Sequence, residues 1–205
     1  MVGVRLFVEG GGDSKALKSE CREGFRKFLQ KAGLKDRMPR IVACGGRGKA
    51  YDDFCSYHAN ARNGQVVLLL VDSETPVGST SPWTHLLDRE EDAWQRPSDA
   101  SDEQCHLMVQ CMEAWFLADR DNLQAFFGQG FHENALPGNP NIEGISKQDV
   151  LASLQRATYN CKTKAAYDKG EHSFKVLARI DPAKVSQASP WARRFFDTLN
   201  QIANS

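Results

Sequence analysis

Four carboxylates in this 205-residue chain stand directly behind apolar runs. Glu9 follows residues 4–8, Asp72 and Glu74 follow residues 66–71, and Glu113 follows residues 105–112. If those runs are parallel strands, their carboxyl ends share one edge of a sheet, where open α/β sheets bind ligands. Carboxylates brought together repel one another unless a cation neutralises them, and hard oxygen ligands of this kind suit Mg²⁺ or Mn²⁺. Each acid taken singly also fits a plainer role as a helix cap or loop residue. Asp72 and Glu74 fit that role least, because both stand where the most apolar run of the chain ends. Asp13 is expected to cap a helix first and to meet a metal second.

Glycines follow two of the runs, at positions 10–12 and at 45, 46 and 48. Neither standard phosphate loop is complete. The Walker pattern would need Gly in place of Ala43 and a hydroxyl in place of Ala50, and the dinucleotide fingerprint fits Gly10 and Gly12 but meets Lys15 where its third glycine belongs. Gly10 and Gly11 stay as candidates for backbone contact with a phosphate, and Arg47 and Lys49 as side-chain candidates on the same edge. Lys169 and His172 lie in a polar and aromatic stretch, residues 167–174, and are further candidates, Lys169 as a fixed positive charge beside a scissile phosphate. An ordinary solvated loop is the competing reading for both pairs.

The elements that must position these groups are legible as a repeated unit. Residues 4–8 read as a strand, the three glycines as a turn, and Leu17, Cys21, Phe25, Phe28, Leu29 and Ala32 as one face of a helix that ends at Gly33. Residues 40–44, the glycine turn and the face formed by Tyr51, Phe54, Cys55, His58 and Ala59 repeat the order. Residues 66–71 are continuously apolar, as expected of a central parallel strand covered on both faces. An amphipathic stretch at 83–94 and an acidic loop at 97–103 precede a fourth strand at 105–112. Glu113 is expected to open a helix through Trp115, Leu117, Leu123, Phe126 and Phe127, whose aromatic residues read as core rather than as a base-stacking platform. Residues 128–144 are rich in Gly, Pro and Asn and mark a boundary or a loop, and helical patterns return at 150–157 and 191–202. The fold class is therefore α/β: a parallel four-stranded sheet flanked by helices in residues 1–127, with a loop and helical C-terminal extension, 128–205, packed on it.

Lys and Arg balance Asp and Glu at 26 each, but unevenly along the chain. Residues 1–49 hold twelve basic and five acidic residues, and residues 50–121 hold four and fourteen. A basic flank beside an acidic middle suits phosphate binding next to a metal, and solvated helix faces of opposite sign explain it as well. The six cysteines form no C-x-x-C pair and read as reduced core thiols, while His58, His85, His106 and His132 show no ligand spacing. The longest apolar run is too short to span a bilayer and no secretion signal is visible, so a cytoplasmic protein without membrane contact is expected.

The segment Leu6-Phe7-Val8-Glu9-Gly10 with Asp13, followed by Leu70-Val71-Asp72-Ser73-Glu74, resembles the Toprim domain of primases, topoisomerases and overcoming-lysogenization-defect nucleases. That domain has a Glu after its first strand and a D-x-D after its third; here Glu74 replaces the second Asp and lengthens one ligand. More narrowly, Met112-Glu113-Ala114-Trp115-Phe116-Leu117 and Tyr167-Asp168-Lys169-Gly170 are similar to segments of small Toprim-like proteins related to the RloB group. The resemblance covers residues 4–120 well and the last third loosely. It implies a Toprim-like, Rossmann-like fold in which Asp72 and Glu74 bind Mg²⁺ and Glu9 binds metal or acts as a general acid/base on a phosphodiester, with Glu113 completing the shell. It also implies nucleic-acid cleavage, of DNA or RNA, in a bacterial phage-defence module beside a separately encoded ABC- or AAA-type ATPase, since this chain holds no ATPase motif. The rival reading is a non-catalytic adaptor that holds a metal or phosphate for that ATPase, and the absence of a basic excess favours it.

Overall fold

The computed structural model describes residues 3–61 and 64–204. Four strands, β1 (Gly3–Glu9), β2 (Arg40–Gly45), β3 (Gln65–Asp72) and β4 (Cys105–Met108), form one all-parallel sheet in the order β2-β1-β3-β4. The helices are α1 (Lys15–Leu29), α2 (Arg47–His58), α3 (Pro82–Asp88), α4 (Arg120–Phe127), α5 (Lys147–Thr158), α6 (Lys169–Leu177), α7 (Pro182–Ala188) and α8 (Pro190–Asn204). This is the expected α/β class, a parallel sheet flanked by helices with a helical C-terminal part, and it is consistent with a Toprim-like or Rossmann-like fold.

Side chains alternate across the two central strands and so divide the core in two. Leu6 and Val8 of β1 and Leu68 and Leu70 of β3 pack on one side with Phe25 and Phe28 of α1, Trp115, Leu154 of α5 and Phe195 of α8. Phe7, Val67, Leu69 and Val71 pack on the other with Phe54 of α2 and Trp83 and Leu86 of α3. The first cluster draws on residues both before and after position 128, including Leu136, Ile142 and Ile145 from the Gly- and Pro-rich stretch. The helices of the last third are therefore packed against the same sheet face as α1.

Several local expectations are corrected. Ser14, not Asp13, caps α1, its hydroxyl accepting from the Leu17 amide at 3.1 Å. The strand expected at 105–112 stops at Met108, and Glu113 lies not at its end but in a 3-10 segment, Met112–Ala118, that precedes α4. Apolar character continued through residues 109–112 because the turn is buried, although past Met108 the regular ladder ends and a single bond from the Glu74 amide to the Gln110 carbonyl remains. The stretch at 83–94 is helical only in α3. The loop expected at 167–174 is mostly helix: Asp168 caps α6, accepting from the Glu171 amide, and Lys169 is its first residue. Helix α7, capped by Asp181, is likewise additional to the expected elements.

Helices α1 and α6 approach closely at Gly24, where an added Cβ would lie 2.7 Å from the Phe174 carbonyl oxygen. In an open helix Gly→Ala stabilises by about 1 kcal/mol. Gly24→Ala is expected to do the reverse, lowering stability by about 1–3 kcal/mol through overpacking against backbone. Gly48→Ala in α2, where a Cβ meets nothing within 4 Å, is expected to hold or raise stability. Urea melts of the two variants beside the parent check both signs.

Candidate metal centre

The parallel register carries Glu9, the last residue of β1, and Asp72, the last residue of β3, to the same end of the sheet. Glu74 follows two residues later with a left-handed backbone (φ 65°), a conformation that costs a non-glycine residue energy and is held here by its amide donating to the Gln110 carbonyl at 2.8 Å. One carboxylate oxygen from each of Glu9, Asp72 and Glu74 lies within 4.8 Å of the others. Three hard oxygen donors at that spacing fit a divalent ion such as Mg²⁺ or Mn²⁺. Glu113 is not in this group. It is fully buried behind it, its Oε1 accepting from Ser173 Oγ (3.0 Å) and Tyr167 OH (3.3 Å) while its Oε2 is buried with no partner.

Asp72 is the hub. Its Oδ1 accepts from the Met112 amide at 2.8 Å, its own amide donates to Glu9 Oε2 at 3.0 Å, and its Oδ2 faces Lys147 Nζ at 3.2 Å and Lys169 Nζ at 3.9 Å. Lys147 also reaches Glu74 Oε1 at 2.6 Å, and Lys169 reaches Glu113 Oε1 at 3.5 Å. Sequence reasoning placed Lys169 here but missed Lys147, the first residue of α5, which no motif marks. Both lysines open helices, where the macrodipole disfavours a positive charge, but Lys15 and Arg120 open α1 and α4 in the same way, so no local signal singles out the two at the site.

Arg47 also arrives at the edge but is committed elsewhere. It stands 3.8 Å from Glu9 and donates to the Asp72 carbonyl, while Asp92 grips it through Nε (3.1 Å) and Nη2 and the Trp94 ring lies 4.7 Å beneath it. Lys49 is exposed on α2 and pairs with Asp53, away from the acids. His172 is 2% exposed; its Nδ1 accepts from the Asp168 amide at 3.0 Å and its ring packs against Phe127 and Tyr167. Burial holds that imidazole below its usual range, so it brings no charge to a phosphate. Gly10 is tied to Gly45 by two backbone hydrogen bonds of 2.8 and 2.9 Å, which uses its amide. A Cβ would meet the Phe174 ring at 2.9 Å at Gly10 and the Lys18 backbone at 2.8 Å at Gly11, where φ is 136° and 89°. These glycines are needed first for close packing in left-handed territory.

Beside the carboxylates opens a cavity of about 250 Å³, with Glu9, Asp72 and Lys169 at its polar end, the Gly10–Gly12 turn on one side and Phe174 and Met112 among its apolar walls. Burial, and then the Asp72 carboxylate, push Glu9 up to about 8 against the opposing pull of Arg47. Burial and Glu113 likewise push Asp72 up to about 6, although Lys169 and Lys147 oppose them. Burial works against the charge on Lys147, yet Asp72 and Glu74 hold the ammonium well above its usual range.

A family model described as a domain of unknown function, DUF4276, matches residues 8–200. No curated protein and no solved structure matches the chain.

The raised Glu9 carboxyl has a consequence for stability. A group protonated more readily in the folded state than in the unfolded one stabilises the fold at low pH and loses that contribution as pH climbs through its folded value. Between about pH 6.5 and 8.5 His106 and His172, which burial holds low, stay neutral, Asp72 has lost most of its proton, and Glu9 titrates. In chelator, stability is expected to fall across that window by at most about 1.4 kcal/mol per pH unit, and Glu9→Gln is expected to flatten the profile. Denaturant melts at stepped pH give both curves.

Proposed function

The chain belongs to the DUF4276 family, and from that premise we propose that it carries out Mg²⁺- or Mn²⁺-dependent phosphodiester chemistry, with nucleic-acid cleavage as the reaction. The observation that carries this reading is the convergence of Glu9, Asp72 and Glu74 at one strand edge, with oxygens within 4.8 Å, beside a cavity that also holds the Lys169 ammonium. These three carboxylates would hold the ion, and the ion when bound would neutralise the non-bridging oxygens of the phosphodiester. Lys169 would set a second positive charge against the phosphate as its charge grows in the transition state. Glu113, gripped by Ser173 and Tyr167, orients Lys169 from behind. Glu9, raised to about 8 without the ion, serves in one of two ways: as the third ligand it gives up its proton to the ion, and outside the ion's shell it keeps the proton and passes it to a leaving oxygen. The Toprim-like resemblance supports a DNA or RNA substrate and a place in a bacterial phage-defence module beside a separate ABC- or AAA-type ATPase; a cytoplasmic setting fits a chain in which, among the described residues, no helix is long and apolar enough to cross a membrane.

One observation favours a second reading. Lys147 already bridges Asp72 and Glu74, so the edge is neutralised from within, as a non-catalytic adaptor for the ATPase would need. Catalysis requires the ion to displace that ammonium from the carboxylates.

Asp72→Asn separates the two. Because the folded environment raises the Asp72 carboxyl, it favours the neutral form, and the isosteric amide is expected to keep or raise the melting temperature in chelator. Under the catalytic reading wild type melts higher with Mn²⁺ and cleaves nucleic acid, alone or with its ATPase, while the variant loses the Mn²⁺ shift and its cleavage falls by orders of magnitude. Wild type that neither shifts with Mn²⁺ nor cleaves leaves the adaptor. Thermal melts with and without Mn²⁺ beside a gel cleavage assay measure each outcome.

A further inference from the structure

Residues 150–180 hold six Lys or Arg against two Asp or Glu in a chain whose net charge is zero. Part of that excess is spent on the acidic edge through Lys169, but Arg156 and Lys162 are exposed and, among the described residues, have no carboxylate partner. Between them in the chain, as the residue that caps the end of α5, stands Tyr159, 78% exposed and one of two large hydrophobic residues exposed among those described. It lines an open groove of about 410 Å³ together with Arg156, Asn160 and Tyr167. An exposed aromatic face flanked by unpaired cations is the combination that receives unpaired bases and their backbone.

The groove is not remote from the carboxylates. Tyr167, which forms part of its wall, donates its hydroxyl to Glu113 and shares a 2.7 Å hydrogen bond with Ser173. Ser173 and Lys169 line the cavity at the acidic edge. From Ala166 in the groove to Lys169 in that cavity the chain takes three Cα steps, at most about 11 Å, or some three stacked nucleotides of one strand.

We infer that this groove binds single-stranded nucleic acid, Tyr159 stacking on a base and Arg156 and Lys162 meeting flanking phosphates, and that the strand continues over Lys169 to the carboxylates. The inference deepens the cleavage reading and rests on it only for what happens at the far end of the strand. Single strands are preferred because a tyrosine face reaches a base only where the base is unpaired.

The test measures binding and cleavage separately. Fluorescence anisotropy of labelled single-stranded DNA and RNA oligonucleotides, and of the matching duplex, is recorded with the full chain in EDTA. Wild type is expected to prefer single strands, and Tyr159→Ala to weaken them about 5- to 150-fold, the range for one lost base stack. Arg156→Ala with Lys162→Ala is expected to lower affinity at every sequence and reduce the log–log salt slope by about 0.7 per cation. Melting curves confirm that these surface variants are folded. The inference is overturned if wild type binds no oligonucleotide, if duplex binds as well as single strand, or if Tyr159→Ala binds like wild type. It is also overturned if polyglutamate binds with the same Tyr159 dependence, which would mark an acidic protein face as the occupant. Adding Mn²⁺ then distinguishes the two readings. Tyr159-dependent binding without cleavage keeps the groove and removes the nuclease, whereas cleavage of single strands untouched by Tyr159→Ala keeps the nuclease and removes the groove.

Discussion

The structure depends on the solvation of one carboxylate. Asp72 leaves the most buried strand at 2% exposure, and a charge in that position is tolerated only where hydrogen bonds and opposite charges replace water. The Met112 amide supplies the hydrogen bond and Lys147 and Lys169 supply the charge. All three come from chain that follows the sheet, so Asp72 is where the 3-10 segment and the starts of α5 and α6 meet the strand edge. The shared core beneath them, with Leu154 and Phe195 packed against the side of the sheet that carries Leu6 and Leu70, makes this arrangement rigid enough to hold a second acid, Glu113, fully buried beside the first.

Those requirements explain which parts of the fold were legible. Strands β1 and β3 stand out because both faces are covered, so residues 66–71 carry no polar interruption and the acids at their ends are conspicuous. The glycine turn after β1 stands out because Gly10 and Gly11 adopt positive φ against Phe174 and Lys18. Strand β4 looks longer in the sequence than it is because burial mimics pairing: Val109, Cys111 and Met112 are as buried as a strand would make them, yet they turn to bring an amide to Asp72. Helix α6 was hidden because His172 and Ser173, polar in type, face inward as ligands of the structure itself, the one closing onto the Asp168 amide and the other onto Glu113.

The cations were the least legible part of the site. Periodicity places a residue on a face of its own element but carries no information about an ion pair spanning more than seventy residues, such as Lys147 with Asp72. What the sequence does contain is a local inconsistency. Ser146-Lys147 and Asp168-Lys169 each pair a good capping residue with a lysine in the first helical position, where the unsatisfied amides already present positive charge. Ser14-Lys15 opens α1 in the same way without pairing with Asp72, so the inconsistency marks no site by itself, and only the fold brings Lys147 and Lys169 to the same aspartate.

The same geometry bears on how a cation would enter. A divalent ion at Glu9, Asp72 and Glu74 and the Lys147 ammonium cannot both sit against Asp72 Oδ2 and Glu74 Oε1 without strong repulsion. Lys147 is a flexible four-carbon stem anchored at the first turn of α5, able to swing off without disturbing the helix. Lys169 differs, since Glu113 holds it from behind through a carboxylate that is itself fastened by Ser173 and Tyr167. The two lysines that look equivalent around Asp72 are therefore separated by their second partners. Lys147 pairs only with two of the three candidate ligands, Asp72 and Glu74, while Lys169 keeps the Glu113 carboxylate as well and stays beside the site whichever cation neutralises it.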